Sequence, residues 1–302
     1  MRCLITGATG FVGRHLIAAL RAAGHEVVGL ARESADLDIL VHTLDLNDTP
    51  ATTTLLKQIQ PAWIFHLAGY ADNGRSFQEP AAAWAGNRDA TRSLYTAMVQ
   101  AELRPRILYV SSGLVYGDAG PGEHVFTETD ALRPASPYAE SKVAAEQLSR
   151  EFPLDIVYVR PFNQIGPGQL PNYAVANFAR QVVAVERELQ THVIVKGNLN
   201  ARRDLTDVRD MVKAYIRLLE VGQSGEVYNA GSGQTYRMGD ILNRLAALAH
   251  ITLQIDDQSD PNRQADTAVS RADIRKLQQT TGWKPEHSVE QTLTDVLADC
   301  RG

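Results

Sequence analysis

The alternation of apolar and polar positions divides this 302-residue chain into two parts with different rhythms. In the first part, short apolar runs at residues 3–6, 26–30, 41–44, 63–67, 106–111 and 154–160 are too brief for helices. They are rich in Ile, Val, Leu and Tyr, as buried strands are. Between them the apolar positions take a helical period, most clearly over residues 11–23, 81–103 and 137–151. Strands separated by helices of this length predict right-handed βαβ crossovers and a parallel sheet covered on both faces. That is an α/β fold of the doubly wound, Rossmann kind.

After Pro161 the rhythm changes. The run NQIGPGQLPN at residues 163–172 reads as a binding loop rather than a strand. A long helix over 173–189, short strands near 192–195 and 226–229, and a last helix capped by Ser288 follow. The boundary predicted here lies at residue 160. Residues 1–160 form the dinucleotide-binding domain, and residues 161–302 form mainly a smaller C-terminal α/β substrate-binding lobe, with some segments returning to the first domain.

Composition narrows the class. Hydrophobic residues make up 44% and charged residues 22%, ordinary for a globular protein. The net charge of −5, without a run of Lys or Arg, argues against a nucleic-acid partner and against a basic membrane patch. Cys3 and Cys300 sit at opposite ends, which suggests neither a disulfide framework nor a metal site, and the eight histidines show no ligand-like spacing. No signal-like apolar segment follows Met1-Arg2, and no stretch reaches the ~20 apolar residues that span a bilayer. The expectation is a cytoplasmic enzyme.

The first strand runs into Thr6-Gly7-Ala8-Thr9-Gly10-Phe11-Val12-Gly13, with glycines three apart between strand and helix. Gly7 permits a sharp turn, Gly10 permits close approach to a pyrophosphate at the helix N-terminus, and Gly13 permits tight packing of helix on sheet. This placement predicts dinucleotide binding. After the second strand stands Arg32, where an NAD-selective site usually places a carboxylate. A guanidinium suits a 2′-phosphate, so NADP(H) is favoured, with NAD(H) also usable. Asp45 and Leu46, after the third strand, flank the adenine in this reading, and Leu67, Ala68 and Gly69, after the fourth, let the backbone approach the cofactor.

Ser136-Pro137-Tyr138-Ala139-Glu140-Ser141-Lys142 starts a helix: Ser136 is a good N-cap and Pro137 suits the first position. Tyr138 and Lys142 then share one face, one turn apart. A lysine near a phenol favours the phenolate, so the pair fits a tuned acid or base. The same seven residues also fit a helix with a surface lysine and a half-buried tyrosine. Ser112, in Ser111-Ser112-Gly113-Leu114-Val115-Tyr116-Gly117 at the end of the fifth strand, points into the ligand crevice of such a sheet.

With GxxGxxG, HLAG, Asn87, SSGLVYG, YAESK and RPFNQIGPGQ in this order, the chain resembles the extended short-chain dehydrogenase/reductase family along its whole length. The resemblance implies that Tyr138 is a general acid for a carbonyl oxygen. Lys142 then lowers its pKa and holds the nicotinamide ribose, and Ser112 hydrogen-bonds the oxyanion. Asn87 supports the site, although a plain helix asparagine reads the same. In the family two helices, here 81–103 and 137–151, pair with their symmetry mates, so a homodimer is implied.

Asn163 of RPFN, Arg180 in Asn177-Phe178-Ala179-Arg180-Gln181, and KGNLNARRDLTDVRD at 196–210 resemble the GDP-sugar branch, which contains 4,6-dehydratases and 4-keto-reductases. By that resemblance Asn163 and Arg203 bind the diphosphate, Lys196 and Asn198 lie near the guanine, and Arg263 is a further diphosphate ligand. The family usually has proline after that arginine, and here Gln264 follows. A dehydratase needs a carboxylate to take the C5 proton, and dehydratases of the branch this chain resembles carry a glutamate two residues before the tyrosine of the strand-end motif. Leu114 stands there. The implied activity is therefore reduction of the C4 ketone of a GDP-4-keto-6-deoxyhexose, giving GDP-D-rhamnose. The GDP-mannose 4,6-dehydratase, another nucleotide-sugar 4-epimerase or ketoreductase, and an NADP(H)-sensing scaffold are the alternatives.

Overall fold

Seven parallel strands form the central sheet of the computed structural model, which describes residues 1–118, 120, 124–259 and 269–302. The chain runs β1 (Arg2–Thr6), α1 (Phe11–Ala22), β2 (Glu26–Ala31), β3 (Leu40–Thr43), α2 (Thr49–Ile59) and β4 (Trp63–His66). It continues through α3 (Pro80–Trp84), a π-turn (Ala85–Asp89), α4 (Ala90–Gln100), β5 (Arg106–Val110), α5 (Pro137–Ser149) and β6 (Asp155–Pro161). Then follow β7 (Asn163–Ile165), α6 (Ala174–Glu186), β8 (Val193–Val195), β9 (Arg202–Asp207), α7 (Val208–Val221) and β10 (Val227–Ala230). The last elements are β11 (Thr235–Arg237), α8 (Met238–Leu248), β12 (Ile255–Asp257), β13 (Val269–Ser270), α9 (Arg275–Thr281) and α10 (Val289–Arg301).

The sheet order is β3-β2-β1-β4-β5-β6-β10, so the winding reverses between β1 and β4. That reversal opens a crevice at the C-terminal strand ends, where such sheets bind ligands. Side chains alternate across the sheet as the strand period requires. Cys3 and Ile5 join a core with Leu16 and Leu20 of α1 and Met211 and Tyr215 of α7. Leu4 faces the opposite layer with Leu56, Leu94 and Tyr95. Each fully buried leucine of this kind contributes about 1.5–3 kcal/mol.

The chain crosses between two layers more than once. After β6, residues of β7, α6, β8 and β9 build a second core with Phe178, Val182, Leu205, Ile241 and Leu293. Then α7 and β10 complete the first sheet and its cover, and α9 packs beside them, with Leu277 in the same core as Met211. In the second unit β9 lies between β11 and β13 and also pairs with β7, while β8 pairs with β12. Among the described residues no helix is long and apolar enough to cross a membrane.

Two elements differ from the sequence-based expectation. The helix expected over 81–103 is interrupted at 85–89, where Ala90 N–H bonds to the carbonyl of Ala85, five residues back. Hydrophobic periodicity does not register such an insertion, since a single wide turn shifts the apolar face by less than one position. The expected loop at 163–172 begins as a strand: Asn163–Ile165 pairs in parallel with Leu205–Asp207 of β9. Its partner lies about 40 residues on, which a local pattern cannot show.

Helix α5 is held by a buried ion pair. Arg160, at the end of β6, donates from Nε and Nη2 to the two carboxylate oxygens of Glu146 at 3.0 and 2.6 Å. Its Nη1 donates to the Tyr116 hydroxyl at 2.9 Å, and that hydroxyl donates to Asn229 of β10 at 2.7 Å. Both ion-pair side chains are almost wholly buried. Removing one partner of such a pair leaves a buried charge unpaired, at a cost of about 3–5 kcal/mol. We expect Glu146→Leu to lose about that much stability in urea unfolding. Adding Arg160→Met to it should recover most of the loss; a double variant as unstable as the sum of the singles would contradict this account.

Candidate active site

The strand-to-helix turn at the N-terminus is shaped by its glycines. Gly7 has φ 75°, and a Cβ there would lie 2.9 Å from the Ala68 amide nitrogen; one on Gly13 would lie 2.5 Å from Gly7 O. Helix α1 begins at Gly10, with no side chain capping it and no acidic residue in its first turn. Its end N–H groups therefore face the crevice ready for an anion. Thr9, Phe11 and Val12 line the same turn. Arg32 is exposed after β2, and Asp45 is exposed beside buried Leu46, its carboxylate accepting from Asn47 N at 2.9 Å. Leu67, Ala68 and Gly69 follow β4, next to β1.

Gly69 is required by its neighbour: an added Cβ would collide with Asn87 Oδ1. The π-turn carries Asn87 inward, where its Nδ2 donates to Ser141 Oγ at 2.9 Å. Asn87 Oδ1 and Ser111 Oγ are buried without protein partners among the described residues. An uncapped helix end, a turn with glycine at its points of closest backbone approach, and unpaired polar atoms beside it fit a bound nicotinamide dinucleotide.

The helix start read from the sequence is present: Ser136 Oγ accepts from Ala139 N at 3.1 Å, with Pro137 at the first position. Tyr138 and Lys142 are both buried on the face of α5 turned to the sheet. Ser112 Oγ accepts from Leu114 N at 3.2 Å and also reaches the Tyr138 hydroxyl. Lys142 Nζ donates to Val110 O at 3.0 Å rather than to the phenol. The expected lowering of the phenol by the lysine is not the balance found. Burial raises the Tyr138 phenol above its ordinary value, and the Ser112 hydrogen bond opposes this only in part. Burial lowers Lys142 to about 8, against the opposing pull of Glu146.

A cavity of about 180 Å³ lies in the second unit, lined among others by Asn163, Gln164, Tyr173, Asn198, Arg203 and Met238. No carboxylate lines it among the described residues. Lys196 is exposed at the end of β8, adjoining the lining residues Gly197 and Asn198. Arg180 is not brought to the cavity: it is exposed on α6 and lies within charge range of Cys300 on α10. The helical period of α6 turns Ala179 inward at that level and Arg180 outward. Arg263 and Gln264 lie outside the described residues.

Sequence reasoning passed over several residues that organise the site. Tyr173 lines the cavity, and burial pushes its phenol up to about 12. Ser141, between Asn87 and the Tyr138 carbonyl, sits inside the motif without a signal of its own. Glu146 does have one, since it falls one turn after Lys142 on the same face.

Fold and crevice together define a dinucleotide-dependent enzyme. The chain belongs to the NAD dependent epimerase/dehydratase family, whose model matches residues 3–231. It is 34% identical over 302 residues to a GDP-6-deoxy-D-mannose reductase of Pseudomonas aeruginosa, covering 99% of this chain and 96% of the relative. A UDP-glucose 4-epimerase of Mycolicibacterium smegmatis is 30% identical over 314 residues, covering 98% of this chain and 97% of the relative. Among solved structures, RMD from Pseudomonas aeruginosa complexed with NADPH aligns with a TM-score of 0.87 at 32% identity, covering 99% of this chain and 98% of that one.

The close fit of Gly69 against Asn87 gives a direct test. Gly69→Ala should cost about 1–3 kcal/mol in urea unfolding, the loss of a buried polar contact. In an Asn87→Ala background the same change should cost much less; equal costs in both backgrounds would refute the contact.

Proposed function

We propose that this protein reduces the C4 ketone of GDP-4-keto-6-deoxy-D-mannose to GDP-D-rhamnose, with NADPH preferred over NADH. The observation that carries the reading is Ser112, Tyr138 and Lys142 at the sheet's C-terminal edge, with a carboxylate-free cavity in the neighbouring unit. The relative of 34% identity, named a GDP-6-deoxy-D-mannose reductase, supports the sugar, and the RMD complex supports NADPH. Half-buried Leu114 stands where a dehydratase would place its base and accepts no proton.

In this reading Ser112 donates to the substrate carbonyl oxygen and polarises it. The nicotinamide, when bound, supplies the hydride. Tyr138, whose raised pKa keeps its proton at neutral pH, passes that proton to the oxygen as negative charge builds there. Lys142 holds the ribose hydroxyls, and Arg32 meets the 2′-phosphate. Asn163 and Arg203 take the diphosphate, with Arg263 as a further ligand, and Lys196 and Asn198 serve the guanine end. The active species is a cytoplasmic homodimer packed through α4 and α5.

The first test pairs two reactions. The protein with GDP-4-keto-6-deoxymannose should consume NADPH, and NADH more slowly, forming a GDP-deoxyhexose. With GDP-mannose and oxidised cofactor it should do nothing. Formation of the keto sugar from GDP-mannose would overturn the assignment in favour of a dehydratase. Tyr138→Phe should still bind NADPH but lose turnover by roughly 10²–10⁴-fold, the usual worth of a general acid.

The pH profile follows from the charges. Below about 8 Lys142 is cationic and the phenol keeps its proton, so both groups are ready for reduction. We expect kcat/KM for the keto sugar to be level at neutral pH and to fall as Lys142 discharges above about 8. A profile that rises through that point would exclude the lysine as the charged partner.

A further inference from the structure

One hydrogen-bonded chain crosses the crevice from the glycine turn to the catalytic helix. Ala68 N donates to Thr6 Oγ1 at 3.1 Å, and Thr6 Oγ1 meets His66 Nδ1 at 2.8 Å. On the other side of the ring, His66 Nε2 meets Thr91 Oγ1 at 3.0 Å. Thr91 Oγ1 lies 2.6 Å from the Asn87 carbonyl. From the same residue Asn87 Nδ2 donates to Ser141 Oγ, which donates to Tyr138 O at 2.7 Å. His66, Thr6, Thr91, Asn87 and Ser141 are all essentially inaccessible to solvent.

The chain has one proton order. A carbonyl oxygen holds no proton, so the short contact between Thr91 and Asn87 uses the threonine's only hydroxyl hydrogen. Thr91 Oγ1 can then only accept from the imidazole, which places a proton on His66 Nε2. The ring is neutral, because burial and the nearby Lys142 ammonium lower His66 to about 3. Nδ1 is therefore bare and accepts from Thr6, whose oxygen accepts in turn from Ala68. Every donor finds an acceptor in this order, and reversing any single link leaves two acceptors or two hydrogens face to face.

We propose that His66 is a positioning residue for the reduction, its imidazole fixed as the Nε2-protonated tautomer that ties the glycine turn to the π-turn presenting Asn87. The imidazole joins three backbone segments: the end of β1, the end of β4, and the π-turn. Asn87 then carries the constraint through Ser141 to the backbone of Tyr138. The rings of Tyr95 and Tyr109 pack beside the imidazole, with centroids 6.0 and 5.7 Å away. The spacing between the cofactor turn and the acid is thereby fixed by directional bonds. This inference rests on the reductase reading for its catalytic consequence, though not for the tautomer.

The test has a spectroscopic and a kinetic part. In long-range ¹H–¹⁵N spectra of the full-length labelled protein, the His66 signal, assigned by its loss in His66→Gln, should show protonated Nε2 and bare Nδ1. It should not titrate between about pH 5 and 8, the range in which free imidazoles charge. A ring protonated on Nδ1, or one that charges in that window, overturns the proposal. In the kinetic part, Thr91→Val removes the hydroxyl and keeps the shape. It should lower kcat by roughly tenfold while KM for the keto sugar and Kd for NADPH stay within about twofold. Thr91→Ser should restore kcat. Unchanged kcat in Thr91→Val, or failure of Thr91→Ser to restore it, also overturns the proposal. If Thr91→Val does not fold, the wild-type spectrum and the Thr91→Ser rate decide. A wild-type protein inactive on the keto sugar would defeat the reductase reading alone, and the tautomer would still stand or fall on the spectrum.

Discussion

Helix α5 must sit at one height and one rotation against the sheet, and directional hydrogen bonds at nearly every turn place it there. Its buried face is mostly polar: Tyr138, Ser141, Lys142, Glu146 and Ser149 all point inward. Ser136 Oγ, which caps the helix, donates to Asn73 at 2.5 Å, and Lys142 bonds to Val110. Glu146 meets Arg160, and Ser149 donates to the Tyr158 hydroxyl at 2.9 Å. A leucine face tolerates small slips in register because dispersion is non-directional. A row of hydrogen bonds does not tolerate them, since each slip leaves several buried groups unpaired at about 1–3 kcal/mol apiece. Accurate placement of a phenol and an ammonium thus comes from specificity rather than from apolar area.

The same polar face explains what could be read in advance. The inner strands of the central sheet were legible because each is a short apolar run buried on both sides, whereas β3 at the edge is largely exposed. The turn at Gly7 was legible because its spacing follows backbone geometry. Ser136 and Pro137 announced the start of α5, and the Tyr138–Lys142 interval marked residues of its buried face. Direction of charge was harder. Lysine and tyrosine one turn apart suggest a depressed phenol, yet burial raises it and the lysine directs a hydrogen bond to a backbone carbonyl instead. The degree of burial is a tertiary property that no heptapeptide contains. The outward aim of Arg180, the π-turn at 85–89 and the long-range pairing of Asn163–Ile165 were hidden for the same reason.

The two units meet at the site through the loop after β4. Asn172 donates to Asp72 at 3.2 Å, and Tyr173 reaches Ala71 O at 3.4 Å, just before α6 begins. One residue on, Asn73 receives the hydroxyl of Ser136. Elsewhere His15 of α1 meets the Pro167 carbonyl at 2.9 Å, and Gly168 N donates to Asp299 at 2.8 Å. The cavity of the second unit is thereby tied to the end of α5 that carries Tyr138. The cavity and the helix carrying Tyr138 belong to different units but share one set of supports.

The order of the strands also governs how the protein comes into being. The nucleotide turn is among the first residues to leave the ribosome, while α7 and β10, which cover and close the same sheet, lie some two hundred residues later. During synthesis β1 is covered on the α7 side by α1 alone, the same face of β5 and β6 waits for α7 until residue 221 has emerged, and β6 has an open edge until residue 230. An all-parallel sheet left open in this way is slow to complete and offers a sticky edge to other chains. A fragment ending near residue 160 would lack both α7 and β10, so it corresponds to an uncovered intermediate rather than to a half-size protein.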